Sequence, residues 1–104
     1  MKSFLTVDQL QKRCEGHSEI RLNTVSTNNI EGMPPICVVP RDYSIFESME
    51  TRPYYPMEIT FKGNGGDAVL KCIRSIVEVS ENVFQIVCGS EKIDILKNEF
   101  VLKI

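Results

Sequence analysis

The sequence predicts a small α+β domain, in which a short N-terminal helix is followed by a strongly curled antiparallel β-meander or a small barrel. Three observations support this prediction. A capping box near the N-terminus precedes a helical apolar period. β-branched and aromatic residues then recur in short runs over residues 57–104, and turn-forming residues separate those runs.

Length and charge favour one globular domain with no general affinity for polyanions. The 104 residues are 42% hydrophobic and 25% charged, as in an ordinary folded domain. Lys plus Arg number 12 against 14 Asp plus Glu, a net charge of −2. We expect a single domain over 1–104, with a proline- and aromatic-rich insertion at 26–56 and the β-meander at 57–104. Neither nucleic acid nor a membrane surface is an expected partner.

The N-terminal segment predicts the helix. Thr6 and Gln9 stand at the two positions of a capping box, in which the threonine hydroxyl accepts from the N–H of residue 9 and the glutamine side chain reaches back. Leu10 and Cys14 then share one helical face. Gly16 supplies a left-handed stop.

The middle of the chain is predicted to contain one clear strand and much irregular structure. Residues 19–25 alternate between apolar and polar and predict a strand. Residues 26–35 are rich in turn formers and predict a loop. The apolar run 36–39 predicts an edge strand, because a proline ends it. A second capping box predicts one or two helical turns over 44–50, and the two prolines of 53–56 favour extended chain.

The last half alternates in the manner of a half-buried sheet. Met57, Ile59 and Phe61 are expected to face the core. Asn64–Gly65 predicts a hairpin with a type I′ turn, which needs positive φ at both residues, and 69–79 predicts one long, bulged strand. Further strands are predicted over 83–88, 93–96 and 100–104. This spacing is typical of a curled meander or a small SH3-like or OB-like barrel, an architectural analogy that says nothing about function.

Cysteine placement predicts free thiols and a cytoplasmic protein. A two-residue turn after residue 80 would place Cys88 opposite Ser75, with Cys72 three residues farther along the strand. That separation is roughly 10 Å, beyond disulfide reach. Cys14 and Cys37 likewise lack a CxxC partner. The N-terminal apolar run is too short for a signal peptide, and no stretch is long enough to span a bilayer.

No motif predicts catalysis, a cofactor or a metal. The glycine-rich run 63–67 joins two predicted strands, whereas a phosphate loop needs a Lys and a Ser or Thr that open a helix. His17 is the single histidine and follows the helix stop without the spacing of a nucleophile–base pair. We therefore expect a non-enzymatic protein without cofactor or metal ion.

The insertion supports the leading functional hypothesis, which is binding of a protein partner. Tyrosine and methionine are favoured at protein interfaces, and all five prolines of the chain lie in this segment. The chain would then be a regulatory module, such as an inhibitor, adaptor or accessory subunit, including one of viral origin. A second copy of the chain is also considered as a partner. The expected contact residues are Met33, Tyr43, Phe46, Met49, Arg52, Tyr54 and Tyr55.

Two alternatives stay open. The insertion could instead cover the open end of the sheet as a structural lid. The other alternative is a small nucleic-acid or nucleotide binder, since sheets that bind single strands combine basic side chains with exposed aromatics. That site would consist of Lys62, Lys71 and Arg74 on one sheet face.

Overall fold

The computed structural model of the protein describes residues 3–27, 37–38, 43–52, 54–89 and 97–104. The strand predicted over 93–96 and most of the loop predicted over 26–35 lie outside these residues. Within them the chain forms one helix, α1 (Val7–Cys14). The strands, in chain order, are β1 (Ser3–Phe4), β2 (Ile20–Thr27), β3 (Cys37–Val38), β4 (Tyr43–Phe46), β5 (Ser48–Arg52), β6 (Tyr55–Lys62), β7 (Ala68–Leu70), β8 (Ile73–Ser80), β9 (Val83–Cys88) and β10 (Asn98–Lys103).

The strands pair into two antiparallel sheets. One sheet has six strands in the order β1-β8-β9-β10-β2-β4, and the other has four in the order β3-β7-β6-β5. The predicted α+β class is therefore confirmed, and β3 lies at a sheet edge as expected. The described strands do not close into a barrel, because they divide between two separate sheets.

The helix begins and ends where the sequence predicts. The Gln9 N–H donates to Thr6 Oγ1 at 3.2 Å, and the Thr6 N–H donates to Gln9 Oε1 at 2.8 Å, which completes the capping box. Leu10 and Cys14 are buried in the core. Gly16 has a φ of 85°, the left-handed conformation that ends a helix.

Residues 44–50, predicted to be helical, belong to two strands instead. β4 pairs with β2 and β5 pairs with β6, so the chain passes from the six-stranded to the four-stranded sheet at Glu47. The Glu47 N–H donates to the Lys62 carbonyl oxygen at 2.8 Å. The helix prediction is wrong because sheet pairing and the burial of Phe46 and Met49 outweigh a local capping signal worth about 1 kcal/mol.

The single long strand predicted over 69–79 is also wrong. β7 ends at Leu70 in the four-stranded sheet, and β8 begins at Ile73 in the six-stranded sheet. Cys72 lies between them with a φ of 55°, which non-glycine residues seldom adopt. The chain therefore changes sheets here for a second time, at a point that alternation alone does not mark.

The two hairpin turns differ in how well they match expectation. In the β8–β9 turn Ser80 pairs with Val83, as predicted. The β6–β7 hairpin is confirmed, but its type I′ turn is wrong, because in this loop positive φ occurs at Gly66 and not at Asn64–Gly65. The Gly66 N–H donates to the Gly63 carbonyl oxygen at 3.3 Å.

Bulges in β8 change the predicted cysteine register without forming a disulfide. Cys88 pairs with Ile73, two positions from the expected partner, because the register shifts twice along this strand pair. Cys14, Cys72 and Cys88 are free thiols, as expected. Cys72 is exposed, however, and the side chain of Cys37 lies outside the described residues.

An aromatic contact joins the two sheets close to the first crossing. The rings of Phe46 on β4 and Phe61 on β6 lie 6.0 Å apart at an interplanar angle of 40°. Gly63 packs directly beneath Phe46. A Cβ atom on this glycine would stand 3.0 Å from Phe46 Cδ1, 3.1 Å from the Gly66 carbonyl oxygen and 3.2 Å from that of Ile45. A side chain at position 63 would therefore displace backbone.

An ion pair fixes α1 to the β8–β9 hairpin. Arg13 donates to both carboxylate oxygens of Glu78, at 2.9 and 2.6 Å, and to Asn82 Oδ1 at 3.1 Å. Its guanidinium also lies 5.1 Å from the centre of the Phe84 ring. The hydrogen bond from Arg13 lowers the pKa of Glu78 below its ordinary value. Such bidentate pairs are strong and directional.

Replacing Gly63 by alanine should destabilise the fold through steric conflict at the sheet crossing. We expect Gly63→Ala to lower the free energy of unfolding by about 1 to 3 kcal/mol in urea titrations. Gly65→Ala is the matched control from the same loop, because a Cβ there meets no atom within 4 Å. Equal stability of the two variants would contradict the close packing of Phe46 on Gly63.

The Arg13–Glu78 pair should make stability depend on pH. Because the pKa of Glu78 is lowered in the folded state, the pair stabilises the fold above the ordinary glutamate pKa, and this contribution is lost as the pH falls through the folded-state value. The stability difference between the parent and Glu78→Gln, measured by urea unfolding, should therefore shrink on acidification. Glu15→Gln, at an exposed site, is the control. A difference that stays constant between neutral and acidic pH would contradict the role of the ion pair.

Candidate protein-binding site

The β5–β6 hairpin ends in an exposed aromatic segment. β5 ends at Arg52 and β6 begins at Tyr55, and these two residues pair, so Tyr54 lies at the turn between the strands. Tyr54 is 90% exposed, and Tyr55 is 55% exposed. The sequence had required that at least one of two adjacent tyrosines in extended chain be exposed. Both are.

A bulge in β6 turns a third large apolar side chain outward. Thr51 pairs with Ile59 while Arg52 pairs with Tyr55, so residues 56–58 lie outside the regular ladder. Pro56 has no N–H to donate to a ladder, which explains a bulge at this place. Met57 is 54% exposed, so its predicted place in the core is wrong. We call Tyr54, Tyr55 and Met57 the tyrosine patch.

Two neighbouring charges hold Tyr55 in position. The Arg52 guanidinium lies 6.0 Å from the centre of the Tyr55 ring. Arg52 Nε also lies 4.0 Å from Glu58 Oε1, which directs the arginine across the bulge. Each contact is weak on an exposed surface. Together they restrict the ring of Tyr55 while Tyr54 has no such contact among the described residues.

An apolar cavity of about 450 Å³ lies beside the tyrosine patch. Its far wall forms where the chain crosses between sheets, since the Gly89 N–H donates to the Cys72 carbonyl oxygen at 2.9 Å. The size suits one or two apolar side chains of a ligand. The cavity is lined by Tyr54, Tyr55, Met57, Glu58, Lys71, Cys72 and Gly89.

A second cavity of about 450 Å³ continues from the first over the outer face of the four-stranded sheet. Lys62 forms ion pairs with Asp67 at 3.2 Å and with Glu50 at 3.9 Å. The hydrogen bond from Lys62 lowers the pKa of Asp67. Three cations and three carboxylates line this cavity, so its charges balance. They are Arg52, Lys62, Lys71, Glu50, Glu58 and Asp67.

The structure brings together only part of each predicted set. Arg52, Tyr54 and Tyr55 lie at one hairpin end, whereas Phe46 and Met49 are only 1% and 8% exposed and belong to the core. Composition placed these two in the binding set, but as strand residues they face inward. Met33 and the side chain of Tyr43 lie outside the described residues.

The basic residues of the nucleic-acid alternative are divided between the sheets. Lys62 and Lys71 line the charged cavity of the four-stranded sheet, but Arg74 lies on β8 in the six-stranded sheet. The two lysines also share their cavity with as many carboxylates as cations. The expected basic stripe is therefore not assembled in this form.

Sequence reasoning missed two residues of the site. Met57 was assigned to the core by alternation, although the adjacent Pro56 is a signal for a bulge. Cys72 was placed inside a continuous strand, and only the second sheet crossing brings it to the surface. No local pattern marks that crossing.

The described residues contain no recognisable metal or membrane-spanning element. No group of three or more His, Cys, Asp and Glu side chains among them is arranged to hold a metal ion. His17 is exposed. No helix in the described part of the chain is long and apolar enough to cross a bilayer.

Comparison with known proteins gives no match. No protein-family model, no curated protein and no solved structure matches the chain. Any proposal about function therefore depends on the geometry of this chain alone, above all on the tyrosine patch and its adjoining cavity.

The three described thiols should differ sharply in reactivity. Burial raises the pKa of Cys14 to about 11, and Cys88 is fully buried, whereas Cys72 is exposed in the wall of the apolar cavity. We expect maleimide to modify Cys72 first in the native protein, as read by peptide mass spectrometry, because the exposed thiolate is the reactive species. Denaturant should make all three react alike. Native labelling of Cys88 as fast as that of Cys72 would contradict this structure of the cavity wall.

Proposed function

We propose that the chain is a non-enzymatic protein-interaction module that binds a protein partner through the tyrosine patch. The observation that carries the proposal is the exposure of three large apolar side chains at one hairpin end, Tyr54, Tyr55 and Met57. Exposed apolar clusters of this kind mark interaction sites in folded proteins. A regulatory or adaptor role in the cytoplasm is consistent with free thiols in the described part of the chain.

The cavity beside the patch supports the same proposal. A partner's apolar side chain entering it would contact two tyrosine rings and a methionine, residue types that give large contact area at interfaces. Arg52 restrains Tyr55 in the unbound chain, so less freedom is lost on binding. Tyr54, at the tip, would then be the residue whose burial changes most.

No observation in the described residues favours the nucleic-acid alternative. Its two lysines on the four-stranded sheet face an equal number of charges of opposite sign. A phosphate backbone would have to displace those carboxylates from Lys62.

Site-directed photo-crosslinking can test where a partner binds. The photoreactive residue p-benzoylphenylalanine would replace Tyr54 in one version of the chain and Phe4 in another, both expressed in cells of the native source. Phe4 is the matched control, since it is an aromatic residue 78% exposed on the other sheet. We expect position 54 alone to give a discrete adduct with a different protein. Adducts of the same protein from both positions, or none from position 54, would contradict the proposal.

Truncation of Tyr54 should weaken binding without weakening the fold. Tyr54→Ala removes a side chain with almost no packing in the free chain, so its melting temperature should stay near that of the parent. Binding to the crosslinked partner should weaken by about 1 to 4 kcal/mol if Tyr54 is a hot spot, as measured by titration calorimetry. Phe4→Ala should leave the affinity unchanged. If Tyr54→Ala instead lowers the melting temperature and leaves the affinity intact, the segment is a structural lid.

A further inference from the structure

The outer face of the six-stranded sheet is apolar at its centre. In β9 and β10 the residues Phe84, Ile86, Phe100 and Leu102 are buried in the core, so the residues that alternate with them point to the opposite side. Ile76 fixes the orientation of β8 in the same way. The outward residues of these three central strands include Val77, Val83, Val87 and Val101, which we call the valine face.

The two sheets of this domain present opposite chemistry on their outer sides. On the four-stranded sheet the outward positions of β5, β6 and β7 include Glu50, Lys62 and Val69, and ion pairs link the charged ones. On the six-stranded sheet the four members of the valine face are half-buried and uncharged. An outer sheet face normally carries polar residues, so a run of valine requires a separate reason.

Charges occur at the two ends of the valine face and differ in sign. Across the strands, Val77, Gln85, Val101 and Asn23 form an uncharged central row. The row toward one end pairs Val83 with Lys103 and Lys103 with Arg21, so it is basic.

The row toward the other end pairs Val87 with Glu99, so it is acidic, and Lys97 lies 3.1 Å from that carboxylate at the margin. The face is therefore basic at one end, apolar in the middle and acidic at the other.

We propose that the valine face pairs with the same face of a second copy of this chain, around a twofold axis that runs across the strands. That axis places the end with Lys103 and Arg21 opposite Glu99 of the second copy, and the same contact recurs on the other side of the axis. A twofold axis parallel to the strands would instead set Lys103 against Lys103. Like charges in contact are costly, so the charge pattern selects the first arrangement.

The available area suits a reversible dimer. Six strands about 4.8 Å apart and three outward rows about 7 Å apart give a flat face of roughly 500 Å². Its corrugated accessible surface is larger and approaches the ~800 Å² per partner of a standard interface. Aligned packing of two such faces buries valine against valine in the manner of a β-sandwich. An interface at the lower end of the range predicts association at micromolar concentration.

Sedimentation velocity can test the dimer over a range of protein concentrations. The parent chain of 11.8 kDa should move toward twice that mass as concentration rises. Val101→Glu places a charge at the centre of the face and should leave the chain monomeric throughout. Val69→Glu is the matched control, because Val69 is half-buried on the outer face of the other sheet. Circular dichroism should show that both variants are folded. A parent that stays monomeric, or a Val101→Glu variant that dimerises like the parent, would overturn the proposal.

A charge exchange tests the direction of the twofold axis. Lys103→Glu should weaken association by about tenfold or more, because it sets two carboxylates against each other. Lys103→Glu combined with Glu99→Lys should restore at least part of the loss, since the ends become complementary again. If the double variant associates no better than Lys103→Glu alone, the proposed axis is wrong.

Discussion

The close approach of Phe46 to Gly63 is the constraint on which the two-sheet architecture depends. The chain leaves the six-stranded sheet at Phe46 and enters the four-stranded sheet at Ser48, so one residue separates strands of different sheets. This reversal is held by the hydrogen bond from Glu47 to Lys62 and by contact between the Phe46 and Phe61 rings. Both contacts require that position 63 carry no side chain. The inner faces of both sheets then share one continuous core with α1.

The same crossing determines where the candidate site lies. It starts β5 at one end of the β5–β6 hairpin, and the tyrosine patch is at the other end. The core side of this hairpin is well packed, with Ile59 and Phe61 fully buried, so a rigid element carries the exposed turn. The bulge at 56–58 interrupts the alternation that would otherwise bury Met57. A stable hairpin with an irregular end thus presents apolar side chains without loosening the core.

Local signals predicted the elements whose determinants are local. The capping box at Thr6 and the two-residue turn after Ser80 were confirmed, because a few adjacent residues decide them. The assignment of 44–50 to a helix and of 69–79 to one strand is wrong because both segments change sheets, which depends on partners distant in sequence. The exposure of Tyr54 and Tyr55 followed from their adjacency, which prevents burial of both. Met57 and Cys72 could not be found, since bulges and crossings decide their exposure.

The two proposed surfaces lie on different sheets, and this separation has a consequence if both are used. The valine face belongs to β8, β9 and β10, whereas the tyrosine patch belongs to the end of the β5–β6 hairpin. Self-association would therefore leave the patch of each copy open. A dimer would carry two patches related by a twofold axis, and a partner with two matching sites would bind the second at high effective concentration. Weak contacts at a small apolar patch would then suffice for tight binding, and dilution of the dimer would release the partner.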